Sequence, residues 1–445
     1  MGGALRRGGH TALAVLEKGW RSVNRAYCAH FEDGARQSAM ELMLGKHKLP
    51  RAPGAVEARR APCGQLTVAV VTWNAHGRDF WDTPGRVEAI VRGVVGPPGP
   101  PSRHPDVFIF CFQEMLALTA ANVVTQAAGD VAQHARFEEA ALRGLEEALG
   151  EAFVKVQGIG MVGLYIVAFV AKRLGTSISG VAAGRRASGL YGQAGNKGAV
   201  GVRFEVEKTA ICALSVHLES GQNKAAERAA QLQEILFGPP PFGRPAMPVT
   251  KHDLVVLAGD FNFRLAMPAG ADLASLRKSL ASGWPATAGA GGAGCVGEGV
   301  AGAASNPALL RPFATYDELA GDRGGWGELQ ETLREAGLME GPVLFPATYR
   351  FFESSGEYDP ERIPAWCDRV LHSKVGVVRR RYCALGGLRG SDHRPVGALL
   401  ETSLLAVPGT TVASFAPAQP SAAAPIGPAD FLSGGGGASS SSSSA

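Results

Sequence analysis

A layered α/β sandwich is the fold class that this sequence predicts, and three observations predict it. From Leu66 to about Glu401, short apolar runs alternate with turn signals. Helical patterns lie between several of those runs. The chain has 445 residues, which is room for one large catalytic domain with flanking pieces rather than two large domains. Strands mixed with helices over such a length bury their apolar faces by stacking in layers.

The elements follow in order. Residues 11–48 place Leu13, Leu16, Trp20, Val23 and Tyr27 at helical spacing, and after Asp33-Gly34 a second helical stretch carries Met40, Leu42, Met43 and Leu44. Segment 49–64 holds three prolines and little apolar material, so it reads as a linker, with the domain boundary near residue 62. The catalytic domain is expected over 65–402. Within it, 66–73, 107–112, 165–170, 199–204, 210–216 and 254–257 read as strands, and 137–149 and 224–236 as helices. The longest apolar stretch, 159–171, is too short to span a bilayer and reads as a buried strand. Residues 283–306 are almost all Gly, Ala and small polar residues, too little apolar mass to offset ordering entropy, so they read as a disordered insertion. The Pro/Ala/Ser/Gly-rich tail, 403–445, reads as disordered on the same grounds.

Composition narrows the function classes. The formal charge of +4 is too small to signal a nucleic-acid binder, which needs a concentrated basic face. Seven cysteines (Cys28, Cys63, Cys111, Cys212, Cys295, Cys367 and Cys383) show no C-x-x-C spacing, which argues against a structural zinc site or a disulfide framework and fits a reducing compartment. Arg6 and Arg7 precede a short apolar run that Glu17 and Lys18 interrupt, so no signal peptide is read. A cytoplasmic protein with peripheral membrane contact is the expectation.

Polar residues close the apolar strands repeatedly. Asn74 closes VAVVTWN, Gln113-Glu114 closes VFIFCFQE, and His217 closes ICALSVH. Asp260 and Asn262 follow LVVLAG, Asp368 stands in PAWCDRVL, and Ser391-Asp392-His393 precedes a further apolar run. An amide oxygen and a carboxylate are hard ligands suited to a divalent cation such as magnesium. Alone, each could merely cap a strand or turn. A two-residue spacing puts Asp260 and Asn262 on one side of an extended segment, where they can share a water and a phosphate oxygen. A carboxylate beside a histidine raises its pKa, giving a cation that meets charge developing on a phosphoryl group.

TWN, QE, GNKGAVGVRF, the His-Leu of SVHLESGQ, GDFNFR, PATYRF, PAWCDRVL and SDHRPV occur in this order, over roughly 66–402, as they do in inositol polyphosphate 5-phosphatases. The sequence resembles that family, a branch of the DNase I-like metallophosphoesterases, and within it most resembles synaptojanins. The segment RAYCAHFEDGARQSAMELMLGKH resembles the closing part of a Sac domain, whose Cys-x5-Arg loop is not found here. The resemblance implies a four-layer sandwich of two mixed β-sheets flanked by helices. It implies Mg2+ held by Asn74 and Glu114 with Asp392 nearby, and Asp260 orienting or deprotonating the attacking water. Asn262 and His217 would hydrogen-bond phosphate oxygens, and His393, oriented by Asp368, would neutralise charge in the transition state. Lys197, Arg264, Tyr349, Arg350 and Arg362 would line the ring pocket. Arg350 replaces the more usual lysine, and Pro360 stands where a basic residue often precedes Arg362, which bears on 4-phosphate affinity.

The substrate that this resemblance implies is a phosphoinositide head group, PI(4,5)P2 converted to PI4P, with soluble inositol phosphates as a second class and no nucleic acid. The tail is the place for trafficking partners. The competing readings are a nuclease of the same superfamily and a catalytically inactive scaffold that binds phosphoinositides.

Overall fold

In the computed structural model, the described residues are 61–79, 81, 83–96, 104–115, 120–189, 194–239, 242, 247–285, 294–300, 307–321 and 327–406. The helical stretches of 1–48, most of the linker and the tail past 406 lie outside them. The chain runs β1 (Ala61–Asn74), α1 (Arg86–Val95), β2 (Val107–Gln113), α2 (Ala120–Leu149), β3 (Phe153–Met161), β4 (Leu164–Ala171), β5 (Ile178–Gly189), β6 (Ala194–Val206) and β7 (Thr209–His217). It continues through α3 (Ala225–Phe237), β8 (Leu254–Asp260), α4 (Leu273–Ser282), β9 (Cys295–Glu298), α5 (Pro307–Tyr316), α6 (Gly327–Glu335), β10 (Leu338–Glu340), β11 (Asp368–Ser373), β12 (Val377–Leu385) and β13 (Val396–Ala406).

Two mixed sheets result, one of seven strands in the order β3-β4-β2-β1-β13-β12-β9 and one of six in the order β10-β11-β8-β7-β6-β5. Each contains one parallel pair, β1 with β2 and β7 with β8, among antiparallel neighbours. This is the DNase I-like sandwich that the sequence predicts. Because every central strand is covered on both faces, its sequence reads as an unbroken apolar run.

Strand parity sorts the side chains. Ala69, Val71 and Trp73 of β1 and Phe108, Phe110 and Phe112 of β2 join Val87, Ile90, Val91 and Val94 of α1 and Phe137 and Leu145 of α2 in one core. Cys212, Leu214 and Val216 of β7 and Val255 and Leu257 of β8 join Leu232 and Ile235 of α3 and Leu333 of α6 in the other. Side chains of the opposite parity point from each sheet toward the other. That parity ends on Asn74 in β1, Gln113 in β2, His217 in β7 and Asp260 in β8. Gln113 crosses the gap, donating from Nε2 to Ser215 Oγ at 3.0 Å.

Several expectations need correction. The run 159–171 is two strands, because Val162 (φ 38°) and Gly163 (φ 82°) turn the chain between β3 and β4. Both φ values are positive, the signature of a tight two-residue hairpin turn. Strand β1 begins at Ala61, inside the segment read as linker, and β13 runs to Ala406, inside the segment read as tail; Ala61 and Ala406 stand opposite each other in the antiparallel pair. The Gly/Ala-rich insertion contains β9, which pairs with β12 from Cys295 opposite Leu385 to Glu298 opposite Tyr382. Glycine has the same backbone donors and acceptors as any residue, so an open sheet edge can order a segment with little apolar mass.

Candidate active site

The C-terminal ends of the two parallel pairs meet. Asn74 is paired with Gln113 at the end of β1/β2, and His217 with Asp260 at the end of β7/β8. Asp368 opens β11 directly opposite Asp260. The strand registers that bury the two cores therefore also bring these polar groups to one edge.

Asp260 is the hub. Its Oδ2 accepts from Asn74 Nδ2 at 3.0 Å and lies 3.5 Å from His217 Nε2 and 3.9 Å from His393 Nε2; its Oδ1 accepts from the backbone N–H of Asn262 at 2.9 Å. Asn74 Nδ2 also donates to Glu114 Oε1 at 3.2 Å. Burial opposes the charge on Asp260, but cationic His393 and Lys197 and the Asn74 hydrogen bond outweigh it and hold the carboxyl below its usual range. Burial likewise opposes the charge on Glu114, and there His76, 3.6 Å away, and the Asn74 hydrogen bond outweigh it, holding the carboxyl well below its usual range.

The two histidines are driven apart. His393 Nδ1 donates to Asp368 Oδ2 at 2.8 Å, and Thr348 Oγ1 donates to the same oxygen at 2.7 Å. Burial would deprotonate His393, but Asp368 and then Asp260 push its pKa up to about 10, so it is an imidazolium paired with an ionised Asp368. His217 falls to about 4 through burial and the neighbouring Lys197. Nε2 of the neutral His217 lies 2.6 Å from Lys197 Nζ and faces the cluster. The site thus holds one cationic and one neutral imidazole on either side of one carboxylate.

The surrounding loops are tied to the same frame. Ser391 Oγ donates to the carbonyl of Asn74 at 2.6 Å and accepts from His393 N at 3.1 Å, and Trp73 Nε1 donates to the carbonyl of His393 at 3.2 Å. Glu114 (φ 47°), Asn262 (φ 55°) and His76 (φ 49°) all take left-handed backbone conformations, which cost energy in residues with a Cβ and concentrate at functional sites. Arg264 is half-buried against Asn262, with its guanidinium 4.8 Å from the Tyr349 ring centre, and Tyr349 stacks obliquely on His393 at 4.6 Å. Arg350 Nε lies 3.2 Å from Asp392 Oδ2 and 3.7 Å from Asp359 Oδ2. A cavity of about 840 Å³, lined by Arg78, Arg350, Phe352, Glu353 and Asp392, opens the cluster to solvent.

Twelve of the thirteen residues singled out in the sequence lie in or beside this cluster: Asn74, Glu114, Lys197, His217, Asp260, Asn262, Arg264, Tyr349, Arg350, Asp368, Asp392 and His393. Arg362 does not; it is exposed, and among the described residues no hydrogen bond or ion pair joins its side chain to the others. The sequence reading does not single out His76, Thr348 or Glu353. His76 stands two residues past Asn74, within 3.6 Å of Glu114, 3.4 Å of Asp392 and 3.4 Å of Glu353, and no periodic pattern marks it.

The donor set fits a hard divalent cation. Asp392 Oδ1 is buried and makes no hydrogen bond, and His76 Nδ1 lies 3.4 Å from it and 3.6 Å from Glu114 Oε2, so the two carboxylates share one neighbour. Among the described residues, Asp260, Asp368 and His393 also come close enough to share an ion. In that trio Asp368 Oδ2 is already occupied by His393 and Thr348, so we read it as a hydrogen-bonded pair beside a carboxylate.

Comparison with known proteins agrees with this architecture. The family model described as Endonuclease/Exonuclease/phosphatase family 2 matches residues 71–281 and 327–399. Inositol-1,4,5-trisphosphate 5-phosphatase 1 of Schizosaccharomyces pombe is 25% identical over 425 residues, 90% of this chain and 34% of that protein. Human synaptojanin-2 is 25% identical over 463 residues, 89% of this chain and 28% of that protein. The chain thus spans about a third of the length of these curated relatives. Among solved structures, the inositol polyphosphate 5-phosphatase domain of SPsynaptojanin, in complex with inositol (1,4)-bisphosphate and calcium ion, superposes with a TM-score of 0.59 at 25% identity, covering 78% of this chain and 87% of that one. With the fold, the strand-end cluster and a family match over more than half its length, the chain belongs to Endonuclease/Exonuclease/phosphatase family 2, in the inositol polyphosphate 5-phosphatase branch of that superfamily.

Proposed function

We propose that this chain is a magnesium-dependent phosphatase that removes the 5-phosphate of phosphoinositides, chiefly converting PI(4,5)P2 to PI4P, by direct attack of water. The observation that carries the reading is Asp260, a buried carboxylate held between Asn74, neutral His217 and cationic His393. The relatives' names support the substrate class, as does the ligand of the SPsynaptojanin domain, which carries phosphates at positions 1 and 4 and none at 5.

Asp260 orients the attacking water and takes its proton, a role for which it must stay ionised. Asn262 and His217 hydrogen-bond non-bridging phosphate oxygens. His393, held by Asp368, offers its Nε2–H and its charge to the phosphoryl group as negative charge develops there. Bound through Asn74, Glu114 and Asp392, the magnesium ion would polarise the 5-phosphate and steady the leaving oxygen. Lys197, Arg264, Tyr349 and Arg350 face the ring and its neighbouring phosphate, where guanidinium groups pair well with phosphate oxygens. Arg362, exposed and not joined to that cluster, is proposed as an outer basic residue toward the substrate.

The enzyme works on the cytoplasmic face of a membrane as a peripheral protein, with soluble inositol phosphates as a second substrate class and the tail as a site for trafficking partners. No helix among the described residues is long and apolar enough to cross a membrane. Phosphate release from a panel of inositol lipids by wild type and Asp260→Ala tests the reading. Loss of at least about a thousand-fold in kcat/KM is expected for the variant. Equal release by both proteins ends it.

A further inference from the structure

The insertion expected to lack structure places a second group of reactive side chains outside the site described above. Cys295 opens β9, the edge strand of the larger sheet, and Cys383 lies in β12 beside it. Cys295 opposes Leu385 and Cys383 opposes Gly297, so the two cysteines are diagonal neighbours on one face of the sheet. Their sulfurs converge: Sγ of Cys295 is 3.4 Å, and Sγ of Cys383 is 3.8 Å, from a single acceptor, the carbonyl oxygen of Gly93 in α1. Gly297 leaves that face open, since a Cβ there would stand 2.9 Å from Cys383 Cβ. Arg381, buried two residues before Cys383, donates from Nε to the same carbonyl at 3.1 Å. Cys295 is partly exposed and Cys383 is buried.

We propose that Cys295 and Cys383 form a peroxide-oxidisable dithiol, in which Cys295 is the thiol oxidised first and Cys383 the resolving thiol. The Cys295 thiolate attacks one oxygen of a peroxide, the O–O bond breaks, and the departing hydroxide takes a proton to become water. The resulting sulfenic acid is sulfur oxidised by two electrons. Cys383 sulfur then attacks Cys295 sulfur, the S–O bond breaks, the Cys383 proton leaves with the hydroxide as water, and a disulfide remains. Two thiols and one peroxide therefore give one disulfide and two waters.

The division of labour follows from the surroundings. The neighbouring Cys383 thiol and then the Arg381 guanidinium outweigh burial and lower the Cys295 pKa to about 7, whereas Cys383 is pushed well above the usual thiol range. Diagonal Cα atoms of an antiparallel pair are typically about 7–8 Å apart, just beyond disulfide reach. Closure therefore requires β9 to shift, and a four-residue edge strand bonded to one neighbour is the element able to do so.

The test uses the full chain, with Cys63 as an internal reference because it is exposed and its pKa is raised. Treatment with hydrogen peroxide near pH 7 should give a Cys295–Cys383 linked peptide in non-reducing mapping, lost on addition of dithiothreitol. Iodoacetamide should alkylate Cys295 roughly ten-fold faster than Cys63 before oxidation, on thiolate fraction. In Cys383→Ala, a dimedone adduct should accumulate on Cys295. Faster alkylation of Cys63 in the unaltered protein, or oxidation of Cys295 to the sulfinic acid without a linked peptide, overturns the proposal. Both readouts are independent of whether the variant folds.

Discussion

Replacing Asp368 by Asn tests the electrostatic logic of the site most directly. Asn keeps the shape and can still accept from Thr348, but it removes the charge 2.8 Å from His393 Nδ1. His393 is raised from 6.5 to about 10, which corresponds to about 5 kcal/mol favouring its protonated form. Asp368 is the largest of the contributions that raise it, ahead of Asp260. Losing about half of that energy, roughly 2–3 kcal/mol, would bring His393 down by about two units, to near 8. In wild type, the imidazolium is then present throughout pH 6–9, and kcat/KM shows no descending limb from it. In Asp368→Asn, kcat/KM should fall with rising pH across 7–9 and recover toward pH 6, where the weakened pair is still protonated. The same shift acts on stability. A histidine whose folded pKa is raised contributes stability that is complete below about 6.5 and is lost as pH climbs to its folded pKa, so in both proteins the loss begins above about 6.5, and it should be finished near pH 8 in the variant but only near pH 10 in wild type. A pH–rate profile on PI(4,5)P2 vesicles and urea denaturation at matched pH read the two effects. A variant whose activity drops by one factor at every pH, with no new limb, refutes the assignment of His393 as a cation held by Asp368.

Other consequences are structural. Gly163→Ala should cost about 1–2 kcal/mol in urea denaturation, because φ is +82° there; the turn also packs on Glu114 Cα, 3.5 Å from where the new Cβ would sit, so an unchanged stability would refute the strain argument. Arg369, fully buried, holds Asp317 at 3.1 Å and bonds Glu340, and Arg369→Ala should destabilise by about 3–5 kcal/mol by stranding two carboxylates; a loss below about 1 kcal/mol would show that they are otherwise neutralised. His134 stacks on Tyr165 at 3.8 Å, and burial, then Lys155 and Arg185, depress its pKa to about 4. The unfolded chain therefore takes up this proton first as pH falls from about 6.5 to about 4, and folding stability drops over that window by about 1–2 kcal/mol after allowing for solvent screening. His134→Phe should remove that part of the acid slope; parallel slopes for the two proteins would contradict it.

Much of the site was legible because a polar residue that ends a doubly buried strand has no reason in packing to be there. Asn74, His217 and Asp260 each follow an unbroken apolar run, and each shares the parity of residues facing the second sheet. Glu114 was legible only beside Gln113, since it lies past the strand in a left-handed turn. His76 and Thr348 belong to loops, where no periodicity marks function. Arg362 was singled out from its neighbours in the chain, but the loop that carries it leaves its side chain exposed. Strands β5 and β12 escaped because Arg185, Arg186 and Arg379 to Arg381 interrupt their apolar patterns; Arg379 finds its ion pair across the sheet edge, in Glu298 of β9.

The same parity explains why catalysis and stability cannot be tuned independently here. In β1 and β2, Trp73 and Phe112 fill the helix-side core while Asn74 and Gln113, the next residues, face the opposing sheet. In β7 and β8, Val216 and Leu257 fill the other core while His217 and Asp260 face inward. A slip of one residue in either parallel pair would expose buried aromatic and aliphatic side chains to the wrong layer and turn the polar ends away from one another. The apolar contacts therefore fix the positions of Asp260, His217 and Asn74 before any substrate arrives, which is the preorganisation that electrostatic catalysis needs. They also force carboxylates and imidazoles into a region with little water, where each charge depends on its neighbours: Asp260 on His393, His393 on Asp368, and Asp368 on the Thr348 hydroxyl. Removing one member should shift the protonation of the others as well, so single substitutions in this chain of contacts should be strongly non-additive, and Asp368→Asn combined with Asp260→Ala should lose little more activity than Asp260→Ala alone.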